Sequence, residues 1–442
     1  MEQDLTQYIA DKYMNNPNWF EEECNQAEHI NRISKVFNNK DYFRGIHKIL
    51  QREDMVFKGQ EYVTRKTILQ TIKSLVSFFN GYILSNPISL GGANEEMVKE
   101  FTNVYRIGKY NKLNADILDR LIKWGSAYEY VYYDNGKIKS RLLNSEEGYP
   151  IVSEKNSTYI GFIEHWTSDS NKVSYWNVFY PNKVECYSNE GGYVHLVETK
   201  RSFGLPICYQ NQENISDECI SMLDDVKPIL DELEDFINKF SDGIYTNTIN
   251  PILVNTGTML ELPKGVSAEA NGFLVTLDNG GEMKYVSATM DSNSIKLYMD
   301  YLQQALYDIA EVPSILYGQG DVANISETSI KMMYAKANAK ASHYRYILED
   351  GFEERNEIIK SILTLKGVKF DEDDYITIQF NFNVPMSDTD KINNLSKQYA
   401  DGAIDKKTYV ELSPLTQNTE QVMSRLVDSE VDIETTEVEI DE

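Results

Sequence analysis

Residues 326–366 read SETSIKMMYAKANAKASHYRYILEDGFEERNEIIKSILTLK, a run with no proline and one glycine, Gly351. As one α-helix of about 41 residues it is roughly 60 Å long at 1.5 Å per residue, against a mean of about 12 residues in globular proteins. Gly351 is the expected place for a bend. Upstream, Met290 to Glu311 sets Ile295, Tyr298, Met299, Leu302, Leu306 and Ile309 at the three-and-four spacing of one apolar helix face, and Pro313 stops that helix. Between the two runs VPSILYGQGDVANIS (312–326), where Gly318 and Gly320 let the backbone turn. A rod this long cannot be shielded by one small core, so it spans several layers or packs on another chain. Ala335, Ala337, Ala339, Ala341 and Ser342 keep its first half thin enough for close helix approach, although a solvated alanine-rich helix explains them equally.

Composition narrows the function classes. A chain of 442 residues with 41% hydrophobic content builds real cores and two to four domains. Its 43 basic against 69 acidic residues give a net charge of -26, which argues against a surface that clings to phosphates. No apolar run approaches membrane-spanning length, and the start MEQDLTQYIADKY is polar and acidic, so neither a membrane span nor a secretory signal is expected and the setting is cytosolic. Cys24, Cys186, Cys208 and Cys219 form no C-x-x-C pair and read as reduced, mostly buried thiols. His29, His47, His165, His195 and His343 stand singly, without metal-ligand or catalytic company. There is no G-x-x-x-x-G-K-[ST] loop, so the chain is not a P-loop ATPase.

From the N-terminus, residues 1–50 carry helical signals with Ile30, Ile33, Val36 and Phe37 on one face, and read as an arm. A helix from Thr67 to Leu84 ends at Asn86-Pro87, and helices at 95–107 and 113–124 lead into SAYEYVYYDNGKIKSRLL (126–143), a hairpin turning at Asp134-Asn135-Gly136. Strands at 159–167, 172–180, 183–187 and 193–199 complete an α+β domain with a mostly antiparallel sheet. In the next helix Ile229, Leu233, Phe236, Ile237 and Phe240 form a packed face, while Asp231, Glu232, Glu234, Asp235 and Asp242 read as its solvated side. Residues 250–289 hold strand-like pieces too few to build a core alone, so neighbouring copies are expected to complete them. After the long helix, residues 374–384 alternate as a strand, two short helices flank Gly402, and from Leu426 onward eight acids and no base predict a self-repelling disordered tail.

The order of apolar helix, Val-Pro loop, glycine-containing polar loop, SETSIK (326–331) and a long helix carrying ERNEII (354–359) resembles the portal proteins of tailed bacteriophages, siphophage type. GYILSNPI (81–88), the Gly204-Leu205-Pro206 strand, the helix ending Phe240-Ser241-Asp242, Asn381-Phe382-Asn383 before Pro385, and the turn at 401–409 resemble the same family. Its Ser-Gly-x-Ala-Leu-Lys helix start stands here as Ser326, Glu327, Thr328, Ser329, Ile330 and Lys331, with the Gly and Ala positions changed. The resemblance implies an α+β ring subunit with long stem and tunnel-lining helices, a β wing and a small β clip. Its segments are an arm and wing at 1–228, a first stem helix at 229–249, the clip at 250–289, a second stem helix at 290–311 and a tunnel loop at 312–328. A long kinked helix and returning strand at 329–385, and a helical crown with the acidic tail at 386–442, complete it.

It further implies a ring of about twelve copies at a capsid vertex of the virion, assembled in the host cytoplasm. The partners are double-stranded DNA, the terminase, major capsid and scaffolding proteins and a head-tail adaptor, with no membrane, cofactor, metal or catalytic residue. Tyr317, Gly318, Gln319, Gly320, Asp321 and Asn324 would approach the DNA, and Lys331, Lys336 and Lys340 would offer sliding phosphate contacts, unless these lysines are merely solvated or paired between subunits. Leu260, Glu261, Pro263 and Lys264 would meet the terminase or adaptor. The alternatives are another head-tail connector or minor capsid protein, or a hydrolase using paired carboxylates, for which no base, orienting group and oxyanion donor come together in the sequence.

Overall fold

The computed structural model describes residues 2–57, 60–92, 94–212, 218–249, 252–256, 259–261, 276–277, 280–286, 291–313, 327–371, 374–383, 388–416, 419 and 421–426. Two compact units divide the chain, residues 1–320 with 336–382 and residues 321–335 with 383–442. The first unit begins with helices α1 (Glu2–Tyr13), α2 (Trp19–Cys24) and α3 (Ala27–Arg44), a 3-10 turn at Lys48–Gln51, and a hairpin of β1 (Met55–Phe57) and β2 (Gln60–Tyr62). Helix α4 (Thr71–Leu84), strand β3 (Ser89–Gly91) and helices α5 (Glu95–Gly108) and α6 (Tyr110–Trp124) follow. Strands β4 (Ser126–Asp134), β5 (Lys137–Leu143), β6 (Gly148–Val152), β7 (Tyr159–Thr167), β8 (Ser174–Phe179), β9 (Lys183–Ser188), β10 (His195–Arg201) and β11 (Ile207–Gln210) then form two antiparallel sheets, ordered β10-β9-β8-β7-β6 and β11-β4-β5. This is the mixed helical and mostly antiparallel class that the sequence predicts. The β4–β5 hairpin turns where expected, with Asn135 at φ 48° and Gly136 at φ 80°, the left-handed pair a two-residue turn needs to match strand twist.

The N-terminal helices lie on the larger sheet rather than standing off as an arm. Leu5, Tyr13, Trp19, Phe20 and Cys24 pack against Tyr149, Ile151, Ile160, Ile163, Trp176 and Val178 in one core cluster. In α3 the expected apolar face splits: Val36 is buried while Ile30 and Phe37 are exposed. The helix turns instead toward its polar anchors, because Asn39 Nδ2 donates to Ser221 Oγ (3.0 Å) and Arg32 donates to the Ser145 and Gly148 carbonyls. His165 stacks on Trp176 at 4.8 Å, and burial alone lowers its pKa below the ordinary 6.5. As pH falls through about 6.5 the unfolded chain therefore takes a proton that the folded one resists, and stability declines. His165→Gln is expected to flatten that part of the stability profile between about pH 7 and 5 in denaturant titrations, relative to the parent chain.

Helix α7 (Met222–Ile249) starts earlier than the sequence suggests and runs through Pro228. Its start is fixed by a reciprocal cap, Ser221 N donating to Asp224 Oδ2 (2.8 Å) and Asp224 N to Ser221 Oγ (3.2 Å). Strands β12 (Ile252–Thr256), β13 (Met259–Glu261), β14 (Thr276–Leu277) and β15 (Glu282–Val286) pair as β12 with β15 and β13 with β14. Helix α8 (Ser292–Ala310) returns, capped by Asp291, whose side chain accepts from Asn293 N. It packs on α7 through the Phe236–Tyr298 ring pair (5.0 Å) and the bond from Tyr298 Oη to Glu232 Oε1 (3.0 Å). One flank of α8 stays open, with Leu297 73% and Tyr301 66% exposed.

The long helix differs from expectation in where it breaks. A turn at the buried Tyr334 separates α9 (Glu327–Met333) from α10 (Ala335–Leu365), although that residue is neither glycine nor proline. Through Gly351, α10 is uninterrupted. Its buried residues, Ala337, Ala341, Tyr344, Leu348, Gly351, Phe352, Arg355, Ile359 and Ile362 among them, trace one stripe at three-and-four spacing. Gly351 serves this packing: a Cβ there would sit 2.2 Å from Tyr209 Cε1 and 2.7 Å from two further ring atoms. Gly351→Ala would gain about 1 kcal/mol of helix propensity. Overpacking against a buried ring costs about 1–3 kcal/mol or more. A net loss is expected in the denaturation midpoint, and a midpoint at or above that of the parent chain would show that the Tyr209 ring yields.

After α10, Thr377–Gln379 (β16) is the part of the alternating run that forms a strand among the described residues, paired with the three-residue β3. In the second unit, α11 (Asp388–Ala400) and α12 (Lys406–Leu412) flank Gly402 as expected and meet through the Tyr399–Tyr409 ring pair at 5.1 Å. The acidic stretch 427–442 lies outside the described residues. All four cysteines are free, Cys24 and Cys219 buried, Cys186 and Cys208 half-buried. Among the described residues, no helix is long and apolar enough to cross a membrane and no cluster of His, Cys, Asp or Glu is placed to hold a metal ion.

Candidate functional site

Tyr317, Gly318, Gln319, Gly320, Asp321 and Asn324, with Pro263 and Lys264, lie outside the described residues. Leu260 and Glu261 fall in β13, paired with β14. Lys331 is exposed on α9. The other two lysines bind carboxylates of the same chain. Lys336 Nζ is 2.9 Å from Asp308 Oδ1, and Lys340 Nζ lies between Glu311 Oε1 (3.6 Å) and Asp225 Oδ2 (3.8 Å) with its side chain 17% exposed. They tie α10 to the end of α8 and the first turn of α7, so intrachain pairing accounts for both.

What holds the long helices in place is polar, and sequence reading missed it. Arg355 on α10 and Glu129 on β4 are fully buried and form a forked pair, Nε to Oε1 at 2.9 Å and Nη2 to Oε2 at 2.7 Å. Arg355 Nη1 donates to Asn114 Oδ1 (2.8 Å), and Tyr209 Oη donates to Glu129 Oε2 (2.7 Å). The guanidinium also faces the Phe352 ring at 4.2 Å and the Tyr110 ring at 4.9 Å. Burial alone would lower the Arg355 pKa, but the Glu129 carboxylate outweighs it and holds the group well above its ordinary value. Burial likewise pushes the Tyr209 phenol well up, so it stays a donor. The visible signal was a charge on an apolar stripe: Arg355 continues the row Leu348, Gly351, Phe352, Ile359.

A second clamp corrects the reading of α7's acidic side as merely solvated. Glu234, Asn238 and Asp242, four residues apart, accept backbone N–H bonds from Leu69 (2.8 Å), Thr67 (2.6 Å) and Arg65 (3.0 Å), alternate residues of an extended strap. The match is metric: two extended residues advance about 6.6 Å and four helical residues about 6.0 Å. Helix α4 begins at Thr71, after this strap, rather than at Thr67. Asn238 Nδ2 returns a bond to Thr67 O (2.8 Å), and Arg52 meets Asp242 Oδ2 at 2.7 Å. His47, fully buried and stacked on Tyr42 at 3.7 Å, sets Nδ1 2.6 Å from Glu234 Oε1 and Nε2 2.9 Å from the Tyr42 carbonyl.

Paired helices α7 and α8 flank a small β insert, the long helix α10 is held to β4 by the Glu129–Arg355 pair, and α7 is held to the strap before α4. The family described as Phage portal protein, SPP1 Gp6-like matches residues 24–434, and the chain belongs to that family. Among solved structures, the fold is similar to a chain in the neck of an empty gene transfer agent particle computed with C6 symmetry, at 11% identity over 78% of this chain and 90% of that one, TM-score 0.45. It is also similar to a chain of the native gene transfer agent virion, at 12% identity over 77% and 88%, TM-score 0.45. A third is in the neck of the native particle computed with C12 symmetry, at 10% identity over 78% and 90%, TM-score 0.44. No curated protein matches the chain.

Proposed function

We propose that about twelve copies of this chain close head-to-tail into a ring at one capsid vertex of a virion, assembled in the host cytoplasm, through which double-stranded DNA enters under a terminase motor and later leaves. The observation that carries this is the family match over residues 24–434. The open apolar flank of α8, Leu297 and Tyr301, supports it as a surface for the next copy. Leu260, Glu261, Pro263 and Lys264 would meet the terminase and then a head-tail adaptor, and other faces the major capsid and scaffolding proteins.

The subunit's task is conduction rather than catalysis. DNA carries a charge about every 1.7 Å, and a basic wall would hold it through counterion release. A chain of net charge -26 whose Lys336 and Lys340 are already paired offers little such adhesion. Screening over about 8 Å confines repulsion to near contact, so an external motor can still push the duplex through. Tyr317, Gln319, Asp321 and Asn324 would approach the DNA from the glycine loop. Asp321→Lys is expected to slow packaging, or DNA retention, in a terminase-driven assay while rings still assemble; packaging at the parent rate would remove Asp321 from the DNA path.

A further inference from the structure

The side chain of His47 is fully buried, and both of its ring nitrogens meet acceptors. Nε2 lies 2.9 Å from the Tyr42 carbonyl, which can only accept, and Nδ1 lies 2.6 Å from Glu234 Oε1. A neutral imidazole has a single N–H. Beside an ionised Glu234 it would therefore turn one nitrogen lone pair onto an oxygen lone pair at one of these two distances. Gln70 does not relieve this. Its Nε2 is 3.4 Å from His47 Nε2, the longer contact, and its Oε1 has no hydrogen-bond partner, so the amide turned round gives that N–H a second acceptor. One more proton satisfies the geometry, whether it sits on Nδ1 or on Glu234, and the pair is then uncharged overall. Burial requires the same count, because the Glu234 side chain is 1% exposed and a carboxylate without a countercharge is costly there. The neighbouring charges are matched or exposed: Lys227 meets Asp231 at 2.7 Å, Arg52 meets Asp242 at 2.7 Å, and Lys48, Arg65 and Lys66 face solvent. Burial, then Glu234 and Asp231, push the stacked Tyr42 phenol far up, so it keeps its proton.

We propose that His47 and Glu234 form a proton-held latch between α7 and the strap at 65–70: the pair carries one proton more than a neutral imidazole and a carboxylate, and losing it opens the strap. Glu234 Oε1 also accepts from Leu69 N at 2.8 Å, so the oxygen that would repel a deprotonated Nδ1 is the one that holds the strap. In the unfolded chain an imidazole of ordinary value, about 6.5, has given up that proton by mildly alkaline pH. The folded chain then binds one proton more than the unfolded one, so the latch contributes fully below about pH 6.5 and weakens as pH rises. His165 acts with the opposite sign, on the acid side.

Hydrogen–deuterium exchange of the full-length chain, corrected for the intrinsic pH dependence of amide exchange, tests this. In the parent chain, opening of amides 65–70 is expected to grow by about tenfold per pH unit above about pH 6.5, the dependence that one released proton gives. In Glu234→Gln the side-chain amide can donate to Nδ1 and still accept from Leu69, so a neutral imidazole suffices and the opening should not change with pH. His165→Gln should keep the parent's dependence, since that ring lies on the larger sheet. A flat profile in the parent chain overturns the proposal without any variant. Equal slopes in the parent and Glu234→Gln overturn it as well.

Discussion

Replacing Arg355 with methionine is expected to destabilise the folded subunit by about 3–5 kcal/mol, the cost of leaving a buried charge without its partner. Glu129 would keep only the Tyr209 hydroxyl at 2.7 Å, with no water in reach of a fully buried side chain. Asn114 Oδ1 would lose its donor as well. Arg355→Met combined with Glu129→Leu is expected to recover most of the loss, because removing both charges removes the desolvation penalty with the attraction. The four proteins form a double-mutant cycle readable from denaturant midpoints. A single-mutant loss below about 1 kcal/mol would mean that solvent reaches Glu129, and the clamp on α10 would not hold as described.

Glu234→Ala should cost about 3 kcal/mol, since it strands the His47 ring nitrogen and the Leu69 amide together. Glu234→Gln keeps an acceptor for Leu69 and should lose less. The diagnostic readout is local: amides of 65–70 should exchange faster in the alanine variant, because Asn238 and Asp242 hold the same strap only through their own bonds. Unchanged exchange there with a large global loss would place the energy in the His47 contact alone.

These two clamps also mark where sequence reading stopped. Periodicity exposed α5, α6, α8 and the hairpin at Asp134-Asn135-Gly136, because local spacing and turn chemistry decide those elements. It missed the Glu129–Arg355 pair because the partners are 226 residues apart, and alternation in β4 does not say which side of a strand is covered on both faces. The acids of α7 read as solvent-facing for the same reason: an extended strap 165–177 residues away takes the place of water. Gly351 was legible as unusual but not as to purpose, since the Tyr209 ring that requires it comes from another sheet strand. Lys336 and Lys340 were legible as charges on a helix, while their partners on α7 and α8 were not.

The proposed ring requires that this subunit close with copies of itself. The mass of the purified assembly by native mass spectrometry, with top views by negative-stain microscopy, tests it most directly. A closed annulus with a central hole and a mass near twelve times 50.9 kDa is expected. A uniform species of 50.9 kDa that never forms an annulus at any protein concentration would contradict it.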